Sequence, residues 1–316
     1  MAQVRLQNEM HQPPAARFAF AALIVANLFL AVGPWMVRLT DVGPSASAFW
    51  RFALALPLLA LLALRSGRTR PSRSPASAGE QGRRHWLIAA VALGGLFFAV
   101  DLLLWHESIL RTRLANATLF GNMSSFLYML TGFVVARALP KPLQAGALLL
   151  AVIGAGLLLG GSYELSRDHF LGDLLALAAA FFYALYLIAV DRARRTMASW
   201  PVLAVATAAG TVPMLFFALA MGEQIMPGGW TPLILLSLGS QLIGQGLLVY
   251  SMGHLSAVVV GLGLLTQPVV SAAIGWLVYG ERLSAADGIG ALLICAALII
   301  IRLPDRRVAT APPEAH

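Results

Sequence analysis

Trp86-Leu-Ile-Ala-Ala-Val-Ala-Leu-Gly-Gly-Leu-Phe-Phe-Ala-Val-Asp101-Leu-Leu-Leu-Trp105-His106-Glu107-Ser108 runs to a short turn containing Arg111 and Arg113. The chain then continues through Asn116-Ala-Thr118-Leu-Phe-Gly-Asn122-Met-Ser124-Ser125 to Tyr128. Two apolar helices are written here, each interrupted by groups that hydrocarbon does not tolerate. A carboxylate, an imidazole and carboxamides inside long apolar runs are costly in lipid, so they face a bundle interior or a wet cavity. The stretch therefore reads as two membrane helices whose polar side chains line a path through the bilayer.

The composition agrees. Of the 316 residues, 59% are hydrophobic and only 11% charged, with a mean hydropathy of +0.78. So little charge belongs to an integral membrane protein rather than a soluble domain. A pI near 10.5 raises the question of nucleic acid, but the cations sit at the ends of apolar runs and form no stripe, so no nucleic-acid partner is expected. The single cysteine, Cys295, lies within an apolar run and rules out an intrachain disulfide.

A helix of about 20 apolar residues spans a bilayer, and ten runs qualify: 18–38, 45–64, 86–108, 114–136, 143–161, 171–190, 201–221, 231–252, 256–279 and 287–303. The first, preceded by Arg17, is too long for a signal peptide and nine more follow it. Of the 22 cations, Arg38, Arg51, Arg111, Arg113, Arg167 and Arg282 fall at one side; the other sixteen fall at the side of the N-terminus. By the positive-inside rule both termini are cytoplasmic. Residues 65–85, rich in Arg, Ser, Pro and Gly, read as a disordered inner linker beside anionic lipid. The tail 304–316 is expected to be disordered as well.

Residues 125–150 align with 268–294: Gly132-Phe133 with Gly275-Trp276, and Gly146-Ala-Leu-Leu with Gly290-Ala-Leu-Leu. Upstream, Leu93-Gly94 matches Leu238-Gly239 and Trp105 matches Tyr250. Each half, 1–162 and 163–316, then holds five helices. An odd number inserts the second half upside down, the plan of inverted-repeat transporters with a site near mid-membrane. The expected fold is an all-α membrane protein of ten transmembrane helices in two inverted five-helix repeats.

These residues resemble the EamA-type ten-helix family of the drug/metabolite transporter superfamily. Phe49-Trp50-Arg51-Phe52 with Ala55 is similar to its second helix, and Asp101-Leu-Leu-Leu-Trp-His-Glu-Ser-Ile with Ala115-Asn-Ala-Thr-Leu-Phe-Gly-Asn122 to its third and fourth. Gly172-Asp173 opens the second half as in the family. Gln267-Pro268-Val, Gly280-Glu281-Arg282-Leu283 and Gly290-Ala-Leu-Leu look like its ninth and tenth helices. The first half departs from the pattern. It has Arg137-Ala-Leu-Pro-Lys where Gly-Glu-Arg is expected, so no glutamate role carries over, and Ser125 where the second half has Pro268, which implies a straighter fourth helix. The resemblance implies a multi-pass protein of the bacterial inner membrane that exports a metabolite or drug, some relatives working by uptake.

The candidate site residues follow from depth and helical spacing. Arg51 and Asp101 lie at equal depth, roughly 9–12 Å below the outer surface at 1.5 Å per residue, which suits an ion pair. Two roles stay open: a structural lock between helices 2 and 3, or an Asp101 that releases Arg51 for a substrate carboxylate or takes up the coupling proton. Asp101, Trp105 and Ser108 share one face, whereas His106 and Glu107 point elsewhere and read as interfacial. Thr118, Asn122, Ser125 and Met129 form a stripe on helix 4. Gln241 and Gln245 share a face of helix 8, and Trp35, Tyr183 and Tyr186 offer aromatic walls with hydrogen-bonding tips. Gly156-Leu-Leu-Leu-Gly160 reads as a helix-packing face that also suits a homodimer.

No HExxH, GxSxG, CxxC or P-loop occurs, so neither an enzyme nor ATP-driven transport is expected, and no cofactor is called for. The reading is a secondary transporter that moves a small metabolite, an amino acid or related zwitterionic or aromatic compound, outward by alternating access with proton coupling. An uptake permease for a vitamin or nucleotide-like metabolite, or a non-transporting scaffold, are the alternatives.

Overall fold

The computed structural model describes residues 14–68, 78–112, 114–137, 139–160, 169–279 and 284–301, and these are helical, with no strand among them. Ten rods follow the chain. They are α1 (Pro14–Arg38), α2 (Pro44–Arg68), α3 (Ala78–Arg111), α4 in two pieces (Leu114–Gly121 and Met123–Ala136) and α5 (Pro142–Gly160). Then come α6 (Phe170–Arg194), α7 (Ser199–Ala220), α8 (Thr231–Leu235, Leu236–Gly244 and Gln245–Met252), α9 in two pieces (Ala257–Leu264 and Gln267–Tyr279) and α10 (Ala285–Ile300). Seven of the rods are long and apolar enough to cross a membrane, and three further apolar helices are shorter.

The outward faces stay apolar: Val212 is 72% exposed, Leu277 71%, Leu292 70% and Phe216 66%. A water-soluble bundle would bury such a belt; lipid tails accommodate it.

Helix pairing repeats itself when each helix is exchanged for the one five places on. The α3·α6 contact answers to α8·α1, α3·α7 to α8·α2, and α4·α6 to α9·α1, while α2·α7, α5·α10 and α4·α9 map onto themselves. Close approach is written in glycine. A methyl group on Gly95 would come within 2.1 Å of Ala206 O, so α3 and α7 meet backbone to backbone only because Gly95 has no side chain.

Four expectations are corrected. The linker is narrower than 65–85, because α2 continues to Arg68 and α3 begins at Ala78; residues 69–77 lie outside the described residues, as do Gly280–Leu283 and the tail 304–316. Helix 4 is interrupted. The interruption falls at Asn122 without a proline: Asn122 Nδ2 donates to Thr118 O (2.7 Å), Ser124 Oγ donates to Gly121 O (2.8 Å), and the ladder tightens at Ser125 N to Asn122 O (3.0 Å). Side chains that bond the nearby backbone offer it an alternative to the regular ladder. The counterpart break in α9 lies at Leu265–Thr266, with Thr266 Oγ1 donating to Gly263 O (2.7 Å) and Pro268 lacking an N–H to give.

The third correction concerns Gly156. A methyl group there would meet nothing within 4 Å, whereas Gly154 packs against the Gly290 carbonyl of α10, so Gly156 takes no part in packing within the bundle. The fourth is His106. It is 1% exposed, not interfacial, since the loop between α1 and α2 folds over the end of α3. Its Nδ1 donates to Pro44 O (2.8 Å) and lies 3.3 Å from Ser47 Oγ.

That same loop is tied across the molecule. The Glu223 carboxylate, just past α7, accepts from the first free amides of α2, Ser45 N (3.1 Å) and Ala46 N (2.8 Å). Asp41 Oδ2 accepts from Gly228 N (2.6 Å), and Trp50 Nε1 donates to Ile225 O (2.7 Å). A carboxylate at a helix N-terminus satisfies orphan donors and the helix dipole together.

Candidate functional site

The two helix breaks face one another across a cavity of about 120 Å³. On the first-half side Arg51, Asp101, Trp105, Thr118 and Asn122 line it, with Ser124 and Ser125 at the break and Gly33–Pro34 of α1. On the second-half side the walls are Tyr183, Ser240, Gln245, Gln267 and Ser271. Most of the predicted residues thus converge, brought together from α2, α3, α4 and α8.

Arg51 and Asp101 share the cavity but do not bond each other. The ion pairs among the described residues are Arg111–Glu107 and Arg195–Asp191, and no Arg51 nitrogen comes within 4.0 Å of an Asp101 oxygen. The expected pair is corrected on a simple ground: Gln241 reaches the guanidinium first. Arg51 Nε donates to Gln241 Oε1 (3.2 Å), and its Cζ stands 5.6 Å from the Phe98 ring centroid. Gln241 in turn donates from Nε2 to Thr207 Oγ1 (2.9 Å), and Ser237 Oγ donates to the Arg51 carbonyl (2.9 Å). Asp101 receives no hydrogen bond from any described residue and is 9% exposed, toward the cavity.

The middle of α8 is a π-helix, Leu236–Gly244, whose wider turns carry Ser237, Ser240 and Gln241. Such segments recur at functional sites because they redirect side chains at the cost of poorer backbone geometry. Gln245, just beyond it, is held by two tyrosines: Tyr186 donates its hydroxyl to Oε1 (3.3 Å), and Gln245 Nε2 donates to the Tyr183 oxygen (3.2 Å). Tyr186 stacks on Phe98, centroids 4.5 Å apart.

Two predicted residues stand behind the wall instead of in it. Gln241 and Tyr186 are fully buried and act through Arg51 and Gln245. Trp35 is half-buried and outside the lining, although its neighbour Pro34 belongs to it. Ser108 shares the helix face of Asp101 but is buried beyond the cavity. Met129, last of the helix-4 stripe, packs under Gly261.

Sequence reasoning missed Ser240, Ser271 and the cavity role of Gln267, whose Nε2 donates to Asn27 Oδ1 (3.1 Å). A signal was present: the repeat alignment that sets Ser125 against Pro268 also sets Ser124 against Gln267, at the two breaks. Among the described residues, no group of three or more His, Cys, Asp or Glu could hold a metal ion.

A helical bundle with an apolar exterior, doubled helix pairing and a polar cavity has the architecture of a multi-pass membrane protein. The EamA-like transporter family model matches residues 17–160 and again 170–303, and the chain belongs to that family. It is 25% identical over 292 residues to an uncharacterized transporter of Archaeoglobus fulgidus, covering 89% of this chain and 94% of that one. A solved crystal structure, 20% identical, shares the fold with a TM-score of 0.74 over 92% of this chain and 99% of its own.

Proposed function

We propose that the protein is a secondary transporter of the bacterial inner membrane that exports a small zwitterionic metabolite, of the amino-acid kind, by alternating access coupled to protons. The observation that carries this reading is the separation of Arg51 and Asp101 on one cavity. Opposite charges kept apart in a bundle are each expensive, and one solute bearing a carboxylate and an ammonium would satisfy both. A volume of about 120 Å³ is well below the roughly 300–1,000 Å³ of pockets for drug-sized ligands. Phe98, Tyr183 and Trp105 add an apolar wall for a side chain.

The ten rods are read as ten spans, in halves 1–162 and 163–316 with both termini cytoplasmic; the two family matches and the exchangeable pairing support the repeat. The cavity belongs to the outer half in this orientation. At the other end of the bundle Ser251 Oγ donates to Ala19 O (2.8 Å) and Leu23 packs on Gly263. One chain contains the whole cavity, and the open Gly156 side of α5 leaves room for a homodimer.

The test is accumulation of labelled amino acids by inverted vesicles with an imposed proton gradient. Losing one charge-assisted contact costs about 1.5–3 kcal/mol, so Arg51→Gln and Asp101→Asn each lower transport by about tenfold or more. Full transport by a normally stable Asp101→Asn overturns the assignment.

A further inference from the structure

We propose that a second site, at the end of the bundle away from the Asp101 cavity, binds a phosphate group of the kind an anionic phospholipid presents. Where the N-terminal part of α3 crosses the C-terminal end of α6, a separate cavity of about 170 Å³ is lined by Arg83, Arg84, Leu87, Thr196 and Met197. It lies some fifteen residues before Asp101 on α3, about 22 Å along the axis, and so is not part of the transport cavity.

The charges around it are unbalanced in a specific way. Among the described residues, neither Arg83 nor Arg84 has a hydrogen bond or ion pair. The neighbouring acid is already engaged: Asp191 accepts from Tyr128 (3.2 Å) and Arg195 (3.2 Å). Arg194 is turned inward to Val249 O (2.7 Å). Two planar guanidinium forks lining a concavity that has no acidic residue among its described walls match the oxygens of a phosphate.

The setting is that of a membrane surface. Trp86, 55% exposed, sits one turn along from the arginines, and the Arg192 guanidinium lies 5.5 Å over its ring. An exposed tryptophan marks the headgroup level, while Leu87 and Met197 give the cavity an apolar floor. Basic pockets between transmembrane helices take lipid headgroups of this charge.

The experiment is native mass spectrometry of the full chain in detergent with phosphatidylglycerol or phosphatidylcholine added. The wild type is expected to retain phosphatidylglycerol in preference to phosphatidylcholine. At about fivefold per arginine, R83Q/R84Q weakens that retention by about 25-fold, whereas R83K/R84K keeps most of it. Inorganic phosphate added to the phosphatidylglycerol-bound protein separates the sources: displacement of the lipid identifies free phosphate as a ligand of the same pocket, and no displacement identifies the headgroup. If R83Q/R84Q does not fold, Thr196→Trp, at an exposed wall position, fills the cavity and should abolish retention. Equal retention of the two lipids, or retention unchanged in a well-folded R83Q/R84Q or Thr196→Trp, overturns the proposal. Neither result touches the transport reading, which rests on the other cavity.

Discussion

Gln241, not Asp101, holds the guanidinium of Arg51: Nε stands 3.2 Å from Oε1, and the carboxylate on the same cavity takes no part. Gln241 is therefore the residue that sets whether Arg51 is available. Gln241→Leu removes an acceptor from Arg51 and a donor from Thr207 and is expected to cost about 1–3 kcal/mol of stability, read by thermal unfolding in detergent. Gln241→Glu keeps the shape but adds a negative charge that competes for Arg51. It should cut transport by about tenfold or more at near-normal stability. Wild-type transport by Gln241→Glu would remove Arg51 as the group that receives a substrate carboxylate.

His106 separates two accounts by stability alone. An interfacial histidine would be replaceable within about 0.5 kcal/mol. Buried beneath the α1–α2 loop and donating to Pro44 O, it instead fills space and satisfies a carbonyl. His106→Ala is expected to destabilise by about 2–4 kcal/mol through the cavity it leaves, measured as a fall in unfolding temperature; Pro44 O keeps the Ser47 hydroxyl as a donor (2.8 Å).

Glu223 ties the second half to the start of α2 through two backbone amides. Glu223→Ala is expected to cost about 1–2 kcal/mol, the range of a lost helix cap. Glu223→Gln keeps an acceptor oxygen and should lose less. Equal losses in the two variants would show that the charge, rather than the hydrogen bonding, fastens the loop.

The glycines offer a paired control. Gly95→Ala puts a methyl group 2.1 Å from Ala206 O and Gly156→Ala puts one in open space. The first should destabilise by at least about 1–3 kcal/mol because α3 and α7 must separate; the second should be neutral or stabilising by up to about 1 kcal/mol from helix propensity. Thermal unfolding of both variants in one detergent decides it.

Several features were legible in the chain and others were hidden for identifiable reasons. Asp101, Trp105, Thr118 and Asn122 could be placed on a common cavity because each interrupts an apolar run at helical spacing. The break in α4 could not be foreseen from the absence of proline; it falls where Asn122 and Ser124 bond backward to Thr118 and Gly121. The role of Gln267 was visible only through its repeat partner Ser124.

What the sequence by itself determined depends on the medium: long apolar runs written as helices, and polar interruptions that must find partners inside the bundle, follow from lipid's intolerance of unsatisfied polar groups. Only the tertiary structure decided which polar groups meet. That Arg51 chooses Gln241 over Asp101, and that His106 is covered, depends on contacts between residues 190 and 62 positions apart. Hydrogen bonds act over a few ångströms in space, and no periodicity along one helix records which neighbour arrives first.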